Sequence, residues 1–130
     1  MSTPDESLIL TPPEAFGPFT IDEQPLEPAG LAITVSGELD MATAPQLRER
    51  LTAATELGAG GLVLDLRPVG FLDSVALACI LHARRRLGER PMAIVLDGES
   101  YVRLIFEVAG LPQCLDLFES RDDAVAHVTA

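Results

Sequence analysis

Leu62-Val63-Leu64-Asp65-Leu66, then Arg67-Pro68-Val69-Gly70, then Phe71-Leu72-Asp73-Ser74-Val75-Ala76-Leu77 is the stretch on which the fold turns. Its first run is apolar at nearly every position. A half-buried strand alternates, so a short run without alternation reads as a central strand covered on both faces. Arg67 to Gly70 reads as a loop, because Pro and Gly punctuate it. The last run passes from an apolar pair through a carboxylate and a hydroxyl into a helix that extends to about Leu87. Val75 to Leu81 is apolar nearly all round, so most of that helix half is expected to be buried. Arg84, Arg85 and Arg86 suit the negative end of the helix dipole, and Gly88 stops the helix.

Working outward, the preceding segment gives a strand at Leu31 to Ser36, with Leu31, Ile33 and Val35 on one face. Gly37-Glu38-Leu39-Asp40 ends it. Thr43 and Gln46 then have capping-box spacing, and Pro45 falls in the first helical turn, where a missing N–H costs little. Leu47, Leu51 and Ala54 continue at helical spacing until Gly58, Gly60 and Gly61. Phe19 to Glu23 is a weaker strand that can pair antiparallel with Leu31 to Ser36. On the other side, Met92 to Leu96 reads as a strand and Asp97-Gly98-Glu99 as a turn. Ser100 caps a helix whose inward face is Val102, Ile105, Phe106 and Ala109. Leu115 to Phe118 is a last short strand, and Asp122 and Asp123 open a final helix.

Strands that alternate with helices imply parallel pairing through right-handed crossovers. The expectation is one α/β domain over residues 19–130. Its sheet would be mixed and largely parallel, with four to five strands and an antiparallel N-terminal edge, packed by about four helices. Residues 1–18 carry Pro4, Pro12, Pro13 and Pro18 and no surviving period, which reads as a flexible tail.

Composition sets bounds on function. A chain of 130 residues with 48% hydrophobic content can build one core. Nine basic residues against twenty acidic ones give a net charge of −11. A reader of duplex nucleic acid needs a basic face, so neither nucleic acid nor an anionic membrane is an expected partner. Cys79 and Cys114 form no metal-ligand spacing and read as two buried, reduced thiols. No run approaches the roughly 18 apolar residues of a membrane helix, and no signal peptide is legible, so a soluble cytoplasmic protein is expected.

Ser74 could serve three chemistries. As a nucleophile it would need a base, but His82 stands eight residues on, about 12 Å along a helix, and His127 lies near the C-terminus. The flanks lack the glycines of a nucleophile elbow. No phosphate-cradling glycine motif occurs either, since Gly58-Ala59-Gly60-Gly61 follows a helix rather than a strand. The chain is therefore expected not to be an enzyme and to hold no metal or cofactor. At a helix start Ser74 is either a cap, a role Asp73 could also fill, or a modifiable switch. Phosphorylation would add about −1.5 to −2 charges at a helix end that tolerates anions, on a surface a partner could cover.

Three pieces of the chain resemble the STAS domains of bacterial anti-sigma factor antagonists, also called anti-anti-sigma factors. They are Gly37-Glu38-Leu39-Asp40, then Val63-Leu64-Asp65-Leu66 with Phe71-Leu72-Asp73-Ser74, then Arg103-Leu104-Ile105-Phe106-Glu107-Val108-Ala109-Gly110-Leu111. The resemblance covers roughly residues 19 to 129. The resemblance implies a STAS fold and an antagonist that binds an anti-sigma factor with serine-kinase activity, releasing a sigma factor. It implies phosphorylation at Ser74 as the off switch and a separate serine phosphatase to reverse it, with ATP and Mg²⁺ belonging to the kinase. Asp40 corresponds to the family's aspartate near the phosphosite, and Asp73 precedes the acceptor. The family carries Ser or Thr and then Gly after the acceptor, where this chain has Val75 and Ala76. Asp40, Asp73, Ser74, Val75 and Ala76 are thus the expected partner-binding residues. The alternative is a STAS scaffold or sensor-complex subunit without a cycle at Ser74.

Overall fold

The computed structural model describes residues 17–58 and 60–130, so the tail expected at 1–18 falls almost wholly outside the described residues. Strand β1 (Thr20–Pro25) pairs antiparallel with β2 (Leu31–Leu39), in register from Thr20 opposite Ser36 to Pro25 opposite Leu31. The chain continues through α1 (Ala44–Leu57), β3 (Leu62–Asp65), β4 (Val69–Leu72), α2 (Ser74–Leu87) and β5 (Met92–Val95). It ends with α3 (Tyr101–Val108), a 3-10 turn (Leu111–Gln113), β6 (Asp116–Phe118) and α4 (Arg121–Thr129). The sheet order is β1-β2-β3-β5-β6, and every pairing after the first is parallel. β4 pairs with β2 outside that path.

The sheet therefore has six strands rather than four to five. The additional strand is β4, where the sequence reads as a loop up to Gly70. Val69 and Leu72 are buried, Gly70 is half-buried and Phe71 exposed; the register slips at Gly70, which lets both end residues reach the core, so the segment is an irregular edge strand despite its flanking Pro68. β2 also runs further than expected, through Leu39, because β4 supplies its partner there.

Two apolar layers sandwich the sheet. On one face Ile33, Leu64, Ile94 and Leu66 pack with Leu47, Leu51, Ile80 and Phe106 of α1, α2 and α3. On the other face Ala32, Val63, Ala93 and Val95 meet Ala124 and Val128 of α4. All four residues of β3 are buried, as the unbroken apolar run requires. Asp65, at its end, is only 2% exposed and accepts hydrogen bonds from the Arg67 backbone N–H, Nε and Nη2 and from Arg121 Nη1. Arg121 also donates to Thr34 and Gln24, so one guanidinium at the start of α4 ties it to β1, β2 and, through Asp65, β3. Burial pushes the Asp65 carboxyl up, but the hydrogen bonds from Arg67 and Arg121 outweigh it and hold the group below its ordinary range.

Several local expectations are corrected. Thr43 is the first residue before α1, but its side chain makes no capping bond and Gln46 is exposed. The Thr43 hydroxyl instead donates to the Glu38 carbonyl at 2.8 Å and accepts from the Asp40 N–H at 3.0 Å. Ala109 is exposed, because α3 ends at Val108 before the inward face returns. Cys114 is exposed and Cys79 half-buried, so the thiols are not a buried pair. In α2 the buried residues are Ala76, Ile80, Ala83 and Leu87. That single stripe at spacings of three and four faces the sheet. Val75 and Ala78 are left exposed, so the helix is far less buried than its composition suggests.

Candidate functional site

β4 brings the two acidic motifs together. Glu38 stands opposite Phe71 and Leu39 opposite Leu72, with an irregularity between Gly37 and Glu38. The Asp73 N–H donates to the Leu39 carbonyl at 3.0 Å. Leu39-Asp40-Met41 and Leu72-Asp73-Ser74 therefore leave the sheet as adjacent loops at the carboxyl ends of parallel strands, where ligands commonly meet open α/β sheets. Gly37 makes this possible, because its φ is +94° and an added Cβ would lie 2.8 Å from Phe19 Cα.

Each carboxylate has a structural task. Asp40 Oδ1 accepts from the N–H groups of Ala42 (2.9 Å) and Thr43 (3.2 Å), which closes the loop ahead of α1. Asp73 has extended backbone at the N-cap of α2, and its Oδ1 accepts from the Ala76 N–H at 3.0 Å. The open question of which residue caps α2 is thereby resolved in favour of Asp73. Ser74 follows as the first helical residue. It is exposed, and its hydroxyl has no hydrogen-bond partner among the described residues.

The other expected contact residues divide. Val75 is 40% exposed beside Ser74 and is open to a partner. Ala76 is fully buried, so its side chain packs against the sheet and is not available to touch a partner. Close to the two acidic loops in the chain stand exposed apolar groups, Phe71 before Asp73 and Met41 after Asp40. The rings of Phe71 and Tyr101 stack with centroids 6.4 Å apart and planes 11° apart. Met41, in the Asp40 loop, is 73% exposed, and Leu104 on α3 is also exposed. Phase alone could have flagged Leu104, which lies off the Val102–Phe106 stripe. Tyr101 gives no such signal, since only tertiary placement stacks it on Phe71, three residues before Ser74. The result is an exposed hydroxyl next to two carboxylates, bordered by large apolar side chains. Such a surface suits protein docking.

Among the described residues neither histidine hydrogen-bonds to Ser74. His82 lies further along α2, and His127 Nε2 is 2.9 Å from Asp116 Oδ2 on the α4 side. Among the described residues, no group of three or more His, Cys, Asp or Glu is placed to hold a metal ion. Among the same residues no helix is long and apolar enough to cross a membrane.

A family model described as "Mlab, STAS domain" matches residues 23–118, and the chain belongs to the STAS domain family. An anti-sigma-B factor antagonist of Staphylococcus aureus (strain NCTC 8325 / PS 47) is 28% identical over 91 residues, covering 69% of this chain and 84% of that protein. The anti-sigma-B factor antagonist of Bacillus subtilis (strain 168) is 28% identical over 97 residues, covering 73% and 87%. The crystal structure of an anti-sigma factor antagonist from Mycobacterium paratuberculosis superimposes with a TM-score of 0.78 at 29% identity, covering 98% of both chains. The expected fold is thus the observed one, shared with a protein of that description.

Proposed function

We propose that this chain is an anti-sigma factor antagonist controlled at Ser74. In the unphosphorylated state it binds an anti-sigma factor that is also a serine kinase, and the bound anti-sigma factor releases its sigma factor. Transfer of a phosphoryl group to Ser74 ends the interaction, and a separate serine phosphatase restores it. ATP and Mg²⁺ are held by the kinase, and this chain contributes no catalytic group.

The observation that carries the reading is the division of labour at the α2 terminus. Asp73 performs the cap, so the exposed Ser74 hydroxyl has no structural duty among the described residues. The helix end tolerates a phosphate through its free N–H groups and dipole. A partner that covers Phe71, Val75, Tyr101 and Met41 must also desolvate Ser74. An unmatched dianion there, beside Asp73 and Asp40, costs several kcal/mol, and each ~1.4 kcal/mol is tenfold in affinity.

The reading is tested by incubating the protein with cognate anti-sigma kinases and Mg-ATP and mapping the phosphate by mass spectrometry. Phosphate on Ser74, abolished in Ser74→Ala, is the expected result. Phosphate elsewhere, with Ser74→Ala still a substrate, contradicts it. Exposed Val75, in place of the hydroxyl residue that follows the acceptor in the resembling family, favours a second reading: a STAS scaffold or sensor-complex subunit with no cycle at Ser74. Partner capture by Ser74→Asp separates the two, since the scaffold retains it.

A further inference from the structure

The uncovered side of α2 continues beyond the Ser74 rim into an open groove. α1 and α2 belong to successive parallel crossover units, so they lie side by side and run in the same direction. The groove between them has a volume of about 500 Å³, within the roughly 300–1,000 Å³ of small-molecule sites. Buried Leu51 and Ala83 and half-buried Cys79 form its floor, and Val75 and Ala78 its exposed apolar wall. Its length, from Ser74 to Arg86, is about 18 Å along the helix.

The charge of this groove is opposite to that of the protein. The chain carries a net charge of −11, yet no Asp or Glu lines the groove, while Arg48 and Arg86 do. Arg86 is paired with Glu56 at the far end. Arg48, nearer Ser74, is exposed and makes no ion pair among the described residues.

We propose that the α1–α2 groove binds a small anionic amphiphile. Its carboxylate or phosphate-monoester head pairs with Arg48, whose planar guanidinium suits bidentate recognition of either group. Its apolar chain lies over Leu51, Cys79 and Ala83. A cationic amphiphile would meet Arg48 and Arg86 with like charge. The site does not require Ser74 to be a phosphoacceptor, although Ser74 lines the same groove and an occupant would lie against it.

Two thiols report on occupancy, since Cys79 lies in the groove and exposed Cys114 does not. The protein is reduced, the reductant is removed, and alkylation of both thiols by N-ethylmaleimide is followed by mass spectrometry. The probes are decanoate, decyl phosphate and decyltrimethylammonium, each below its micelle concentration. At ten times its dissociation constant, an anionic probe should slow Cys79 alkylation about tenfold and leave Cys114 unchanged. Comparing decanoate with decyl phosphate identifies the preferred head. Arg48→Glu should weaken protection about tenfold, and Arg48→Lys should retain most of it. Backbone amide shifts along Ser74 to Arg86 provide a second readout that does not rely on the thiol.

Selective protection by the anions, with shifts confined to the groove, supports the site. Equal protection by the cationic probe, or unchanged protection in Arg48→Glu, overturns it. Cys79 protection that rises with protein concentration in the absence of any amphiphile would assign the groove to a second copy of the chain, and also overturns it.

Discussion

Replacing Asp73 and Ser74 separately by Ala distinguishes a cap from a free acceptor. In Asp73→Ala the Ala76 N–H loses the carboxylate that accepts it at 3.0 Å. Loss of an N-cap costs about 1 kcal/mol, and loss of a negative charge at the helix start adds about 0.5 kcal/mol. The expected destabilisation is therefore about 1.5 kcal/mol, or about 5 °C in Tm for a domain of this size. In Ser74→Ala no hydrogen bond among the described residues is lost, the residue is exposed, and Ala is the better helix former. Its stability should stay within about 0.5 kcal/mol of the native chain. Urea unfolding with a shared m-value measures both variants. A Ser74→Ala variant destabilised by about 1 kcal/mol or more, with Asp73→Ala neutral, would refute the reasoning, because Ser74 would then be the cap and its hydroxyl would not be free.

Two further predictions follow from the ion cluster and the apolar rim. Asp65→Asn leaves Arg67 and Arg121 facing a buried amide in place of a carboxylate and should destabilise the domain by about 3 kcal/mol in urea unfolding at neutral pH. Because the folded Asp65 carboxyl titrates below its ordinary value of 3.8, its contribution is complete above that pH and is lost as pH falls through the folded value. The gap between native and Asp65→Asn should therefore close below about pH 4, and a gap unchanged into that range would contradict the cluster's role. Phe71→Ala and Tyr101→Ala should each weaken capture of the anti-sigma partner about tenfold in titration calorimetry while costing no more than about 1–2 kcal/mol of stability, as Tyr101 is 53% and Phe71 38% exposed. Unchanged affinity in both would remove the aromatic pair from the docking face.

The layers of the fold were legible because periodicity reports burial. Leu62 to Asp65 had to be covered on both faces, and α1, α2 and α3 on one side with α4 on the other do so. β4 was not legible, since Pro68 and Gly70 carry loop signals and the burial of Val69 and Leu72 comes from pairing with β2. The exposed side of α2 was missed for a related reason. Apolar composition there was read as burial, but Ala76, Ile80, Ala83 and Leu87 already supply the stripe that faces the sheet. Ser74 and its two carboxylates were visible as residues, yet their adjacency depends on the Asp73-to-Leu39 hydrogen bond, which follows from strand pairing rather than local pattern. Tyr101 carries no local mark of its stacking on Phe71. Ala76 illustrates the opposite error, a motif position assigned to the surface that the helix turns into the core.

The decisive measurement is the affinity of this chain for an anti-sigma kinase before and after stoichiometric phosphorylation of Ser74. A phosphate-controlled antagonist should weaken at least about a hundredfold, equivalent to about 2.7 kcal/mol, with the fold intact and affinity restored by dephosphorylation. Equal affinity of the two forms would contradict phosphate control.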